Sequence, residues 1–254
     1  MRVRVRFAKA GKLRFISAID LGRVWERALR KADLPIAYSE GFSPHPKISF
    51  GDALPLGFAS RAEFAELTFG GDVDLADMTR RLNVAFPQGL TVLDAISSAE
   101  GDKRLGKLLQ ASLWTLEYTS AEGLGAAVDG LPRRGSLQVQ RERKGEMVTV
   151  DLAPPLAGVA VADNEIRAII HHPGFIPDSP GGGTAVRPDD LHSVLSLSDP
   201  PALVTRVAQG HFSQSPLGVT DAMRDTTVPL GPGAMSALTA GPASAATNNH
   251  KEAT

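Results

Sequence analysis

Residues 2–7 read Arg-Val-Arg-Val-Arg-Phe. A strict period of two fits only a strand, with Val3, Val5 and Phe7 on one face and Arg2, Arg4 and Arg6 on the other. The apolar face has to be covered, so the strand predicts a sheet packed on one side, with a cationic second side. The next residues supply the cover. Ser17 with Asp20 three positions on has the pattern of a helix start. Ile19, Leu21, Val24, Trp25, Ala28 and Leu29 then draw an apolar stripe along a helix that reaches Lys31. Trp25 on that stripe is a core residue. Gly11 marks a turn, and Leu13, Phe15 and Ile16 are expected to extend the strand pairing.

The alternation of strand and helix continues. Pro35 ends the first helix, and residues 36–38 and 47–50 are short extended runs on either side of a proline-stiffened loop. Leu54-Pro55-Leu56-Gly57 is an irregular crossing, 64–69 a strand, 74–86 an amphipathic helix stopped by Pro87 and Gly89, and 90–96 a strand. The order β-α-β-β-α-β is that of a ferredoxin-like unit, expected over residues 1–100.

Residues 97–107 are polar, with Gly101 and Gly106, and read as a linker. A second, looser α+β unit is expected over 107–212, giving a tandem ferredoxin-like chain. Its strands are read at 112–119, 136–140, 147–152, 166–171 and 203–211, and its helices at 121–129 and 188–195. Residues 177–183 read as a flexible insertion. From Ser213 to residue 254, Ala, Thr, Gly, Ser and Pro dominate and periodicity fades, which predicts a disordered tail.

Composition narrows the chemistry. The chain has no cysteine, so disulfides, Cys-based zinc or iron–sulfur sites and a Cys nucleophile are excluded. The six histidines are scattered, no pair has metal-ligand spacing on a helix, and no metal or cofactor is expected. His171 and His172 are adjacent on a strand and so point to opposite faces. Gly181-Gly182-Gly183 does not follow a strand and is a loop, not a phosphate-binding fingerprint. No apolar run approaches the roughly 20 residues of a membrane helix. The N-terminus opens on charged residues, unlike a signal peptide, so the cytoplasm is the expected compartment.

Charge singles out the N-terminal fifth. Residues 1–50 carry eleven Arg and Lys against four Asp and Glu, a charge of +7, whereas the whole chain has −1 and the remainder therefore −8. A field of that sign calls for an anionic partner, with nucleic acid first. Arg2, Arg4 and Arg6 on the open sheet face, Arg23, Arg27 and Arg30 on one side of the helix, and Lys47 form the expected nucleic-acid-binding set. The second candidate is the loop Glu40-Gly41-Phe42-Ser43-Pro44-His45-Pro46, where two prolines hold His45 rigidly beside charged and hydroxyl groups. His45 is the candidate catalytic residue, with no partner base or nucleophile assignable to it. The alternative for this loop is a stiff connector whose Phe42 plugs the core.

Three blocks carry a resemblance: Phe15-Ile16-Ser17-Ala18-Ile19-Asp20-Leu21; Glu26-Arg27-Ala28-Leu29-Arg30; and Tyr38-Ser39 followed by the loop just given and Lys47-Ile48-Ser49-Phe50. They are similar to a radical-SAM-linked family, domain of unknown function 2344, and Leu54-Pro55-Leu56-Gly57 fits it too. The likeness is strong over residues 1–100 and weaker over 107–212, through Val186-Arg187-Pro188-Asp189. The chain has Ala18 where that family usually has His. The resemblance implies context more than activity. Members form the C-terminal part of B12-binding radical SAM proteins, or separate short proteins encoded beside ribonuclease E/G. This chain resembles the separate form. It lacks the three Cys that would hold a cluster, so any radical chemistry belongs to a partner in trans.

Two functional expectations follow. The leading one is a non-catalytic module that binds structured or modified RNA, linked to radical SAM or RNA-processing machinery. The alternative is an enzyme, or the substrate-presenting subunit of a radical SAM partner, with the His45 loop at the active site. A protein–protein adaptor is a third, plainer possibility.

Overall fold

A computed structural model describes residues 1–99, 101–131, 136–143, 145–177, 185–232 and 234–236. In the first half, β1 (Arg2–Lys9) is flanked antiparallel by β3 (Ala59–Thr68) and β4 (Leu90–Ser98), and β2 (Ile48–Phe50) pairs antiparallel with the far side of β3. The order is thus β2-β3-β1-β4. Helices α1 (Ala18–Lys31) and α2 (Leu75–Ala85) make the crossings and cover one face. Val3, Val5 and Phe7 are buried there with Leu29, Met78 and Leu82. Trp25 is fully buried, edge-on to Phe7 at 5.1 Å and to Phe86 at 4.8 Å. Removal of a core aromatic of this size costs about 3–5 kcal/mol.

The second half repeats the pairing order. Its strands β5 (Ala111–Glu117), β8 (Leu156–Ala162), β9 (Glu165–His171) and β10 (Leu203–Gln214) are ordered β8-β9-β5-β10, all antiparallel. A short helix α3 (Leu105–Leu108) precedes β5, and α4 (Leu124–Asp129) and α5 (Pro188–Leu195) pack with Trp114, Leu116, Ile166 and Val204 in a second core. β10 also pairs parallel with β3, Thr205 opposite Ala59 and Arg206 opposite Ser60. The two halves therefore share one sheet.

Several expectations are corrected. Residues Gly11–Phe15 form a 3-10 turn and do not extend the pairing, because Gly11 takes a positive φ of 57° and the Ala10 N–H donates to the Gly89 carbonyl. The runs at 136–140 and 147–152 belong to a separate hairpin, β6 (Gln138–Arg143) and β7 (Glu146–Asp151), outside the main sheet. Its polar alternation looked like sheet, whereas the small-residue run of β8 gave no period of two.

The region after Ser213 continues β10 to Gln214, then forms β11 (Leu217–Asp221), β12 (Thr227–Pro229) and β13 (Met235–Ser236). Backbone pairing and close glycine approaches hold these strands, which composition does not register. Residues 237–254 lie outside the described residues, as do 178–183 of the expected insertion.

Candidate functional site

Arg23, Arg27 and Arg30 stand exposed on the outer side of α1. Arg23 pairs with Asp20 at 3.1 Å, and Arg30 bonds Glu26 one turn back. Such solvent-facing pairs are weak and leave the cations usable by an external anion. Ser17 caps the helix as expected: its Oγ accepts from the Asp20 N–H at 3.1 Å and donates to the Asp20 carboxylate at 2.8 Å. That bond first, then Arg23 and Arg27, holds the Asp20 carboxyl below its usual range.

The His45 loop projects from the sheet edge on a ladder of backbone bonds. Tyr38 bridges Pro46, Ser39 N–H donates to the His45 carbonyl at 2.8 Å, and Lys47 N–H donates to the Ala37 carbonyl at 2.8 Å. Ser39 Oγ in turn accepts from the His45 N–H at 3.0 Å. Glu40 to His45 are all exposed, Pro46 is half-buried and Lys47 is exposed. Phe42 is fully exposed and does not plug the core. The loop is stiff without it because the prolines and Ser39 fix both stems.

The arginine strand does face away from the helices, but that side is not bare. Arg4 is buried, bonded to Glu66 at 2.9 Å and to the Lys103 carbonyl. Arg2 reaches Glu66 at 3.5 Å and the Ala99 carbonyl at 2.6 Å, and Arg6 pairs with Asp221 at 3.4 Å. Residues 101–109 and the β11–β12 hairpin cover this face, with Leu105, Leu109, Ala222 and Met223 packed over Ala62 and Phe64. Arg2, Arg4 and Arg6 are therefore separated from the α1 cations by the thickness of the sheet, whereas Lys47 stands level with Thr68, the partner of Arg2.

What the sequence reading left out is a set of exposed aromatics in the same basic segment. Phe15, Tyr38, Phe42 and Phe50 are all solvent-facing. The Arg14 guanidinium lies 5.0 Å from the Phe15 ring centroid, and the Gly57 N–H bonds the Arg14 carbonyl at 2.8 Å. Phe50 leans edge-on toward Trp25 at 6.0 Å. Their signal was four rings within residues 12–50, Phe15, Tyr38 and Phe50 in short extended runs and Phe42 in the loop, with no periodic stripe to bury them.

A second group was also missed. At the junction of the two halves Arg206, 1% exposed, lies 4.7 Å over the Trp114 ring and donates from Nη1 to Glu63 at 3.1 Å. Its Nη2 reaches the Asp52 carboxylate at 3.3 Å. Lys9 is buried nearby, donating to the Ile16 carbonyl at 3.2 Å; burial lowers its pKa, and Glu63 opposes that. On the neighbouring strand Ser112 Oγ is 2.7 Å from His172 Nε2. Burial first, with Arg206 adding to it and Asp52 opposing, pushes the His172 pKa down to about 4. His171 points the other way, against Phe212 at 4.7 Å, as adjacent strand residues must. The legible clue was Arg206 itself, a charge between Val204 and Val207 in the first half of β10.

Residues 2–174 match the family described as "Uncharacterized protein conserved in bacteria (DUF2344)". The chain belongs to that family. The DUF2344 match spans β1 to the end of β9, so it takes in α1, the His45 loop, Asp52, Glu63, Ser112 and His172 but not Arg206. No curated protein matches the chain. Among the described residues no helix is long and apolar enough to cross a membrane, and no group of three or more His, Asp or Glu side chains could hold a metal ion.

Proposed function

We propose that the first half of this chain is a non-catalytic RNA-associated module that takes unpaired nucleotides of a structured RNA on residues 12–50. One observation carries the reading: exposed aromatics (Phe15, Tyr38, Phe42, Phe50) and exposed cations (Arg23, Arg27, Arg30, Lys47) share one segment. Cations hold phosphate without regard to sequence, and ring faces stack on bases that are not already paired. The partnered arginines of β1 take no part. Each half is read as a split βαβ unit, which makes the chain a tandem ferredoxin-like protein, working in the cytoplasm beside RNA-processing machinery.

The projecting loop favours one further reading. A rigid tip with Phe42 and His45 in solvent is suited to entering another protein's site, such as that of a radical SAM partner in trans. Among the described residues no side chain bonds the His45 ring, which favours presentation over catalysis by this chain.

The test is RNA binding at graded salt, with single-stranded and fully paired oligonucleotides of equal length. Affinity should fall steeply as salt rises and favour the single strand. Replacing Arg23, Arg27 and Arg30 by Gln should weaken binding while the melting temperature stays nearly constant. Salt-independent binding, no binding at low salt, or equal preference for duplex removes the proposal.

A further inference from the structure

We propose that the junction between β3 and β10 is a binding site for a small carboxylic acid, with Arg206 and Gln209 as its anchors and Asp52 as the group the ligand displaces.

Two buried donors and a buried acceptor at this junction have no partners among the described residues. Gln209 is 0% exposed, and neither its amide oxygen nor its amide nitrogen has a hydrogen-bond partner among the described residues. Arg206 Nε–H is buried and likewise unpartnered. Each such group is costly to seal away from water without a bond. Gln209 sits directly opposite Ser112, and Arg206 opposite Trp114, so these side chains share one face of the sheet. Ser112, 1% exposed, adds a hydroxyl whose place is fixed by His172. A buried amide, guanidinium and hydroxyl thus lie on one face of β5 and β10, close to where β3 and β10 part after their two paired positions.

Charge selects the ligand. Arg206 has Glu63 as a buried counterion at 3.1 Å, with a side chain only 6% exposed. Its second carboxylate is different: Asp52 has a side chain 54% exposed and touches Arg206 at 3.3 Å. Asp52 follows Gly51, whose N–H donates to the Phe64 carbonyl at 2.8 Å, and the Asp52 carbonyl itself accepts from Arg206 Nη1 at 3.3 Å. The backbone is therefore held while the carboxylate at its end reaches solvent. A ligand carboxylate replacing that of Asp52 leaves the local charge unchanged, and its remaining oxygen meets the unpartnered Nε–H and the Gln209 amide. A phosphate dianion would add charge beside Glu63. The pair Ser112–His172 holds the wall and is no nucleophile: Ser112 is buried, and a histidine with so low a pKa is a poor base at neutral pH.

The test uses the full chain, with side-chain ¹⁵N resonances of Arg206 Nε–H and the Gln209 amide followed during titration with sodium acetate. Inorganic phosphate and chloride at equal ionic strength are the controls. Acetate should shift both signals saturably. Asp52→Ala should tighten acetate binding about tenfold, the worth of 1.4 kcal/mol of relieved competition, and Asp52→Asn repeats the measurement with the side-chain volume kept. Gln209→Met should weaken it. No saturable acetate shift in the native chain and in either Asp52 variant overturns the proposal and leaves an ion pair over an internal water only. Phosphate binding as well as acetate overturns the carboxylate assignment.

Discussion

Arg224 grips Asp94 with two parallel hydrogen bonds, Nε to Oδ2 and Nη2 to Oδ1, each 2.8 Å, across 130 residues of sequence. This fork ties the β11–β12 hairpin of the second half to the edge strand of the first. It holds the Asp94 carboxyl below the usual carboxylate range, the Arg224 bond being the largest cause. A depressed carboxylate contributes stability that is present above its unfolded value, about 3.9, and is lost as pH falls through the folded value. Arg224→Gln should therefore unfold at lower urea than the native chain at pH 7. The gap should close as the pH drops below about 4, which paired urea titrations would show.

Gly210 answers for the same hairpin from the other side. A Cβ at this position would lie 1.9 Å from the Thr220 carbonyl oxygen. Gly210→Ala should push β11 off β10, and limited proteolysis should then cut within residues 217–229 well before it cuts the native chain there. Equal cutting rates would mean that the hairpin does not depend on this approach.

The tip of the projecting loop separates binding from folding. Phe42→Ala removes an exposed ring and should change stability by no more than about 0.5 kcal/mol. It should weaken single-stranded RNA by about 1–3 kcal/mol if the ring stacks on a base. His45→Ala should weaken it by about 1 kcal/mol, the scale of one hydrogen bond. Retained affinity in both variants would move the RNA contact away from the loop.

Burial should decide between two carboxylates on one guanidinium. Glu63→Gln leaves Arg206 undercompensated in the interior and should cost about 3–5 kcal/mol. Asp52→Asn removes a half-exposed partner and should cost less than about 1 kcal/mol. Denaturant midpoints of the two variants give the comparison, and equal losses would contradict the difference in exposure.

Asn83 protects the outer strand. Its side-chain amide donates to the Val92 carbonyl at 3.0 Å and accepts from the Val92 N–H at 2.7 Å, on β4 at the end of the sheet. Open edges recruit other chains. Asn83→Ala, with Val84 and Leu93 already exposed beside it, should make sedimentation concentration-dependent where the native chain shows no such change.

The helix-side packing of the first half could be read from residues because it obeys simple periods. Val3, Val5 and Phe7 alternate, Trp25 falls on a helical stripe, and Ser17 is a cap. The second half was less legible. β8 is built from Leu, Ala, Gly and Val, with no polar face to mark its register, because both its faces are covered. The site followed the same division. The exposure of Arg23, Arg27 and Arg30 follows from their spacing on α1 alone. The fate of Arg2, Arg4 and Arg6 depends on Asp221 and Lys103, residues that only tertiary folding brings near. The junction around Arg206 joins four strands, and no local pattern in any one of them announces the others.

The parallel pairing of β10 with β3 sets an order on how the chain can be completed during synthesis. β10 stands between β5 and β3, yet leaves the ribosome long after both. Until Leu203 onward has emerged, the margins of β3 and β5 that β10 pairs with have no partner strand, and Glu63 has Lys9 near it but not Arg206. One late strand is what both margins and the Arg206–Glu63 pair require.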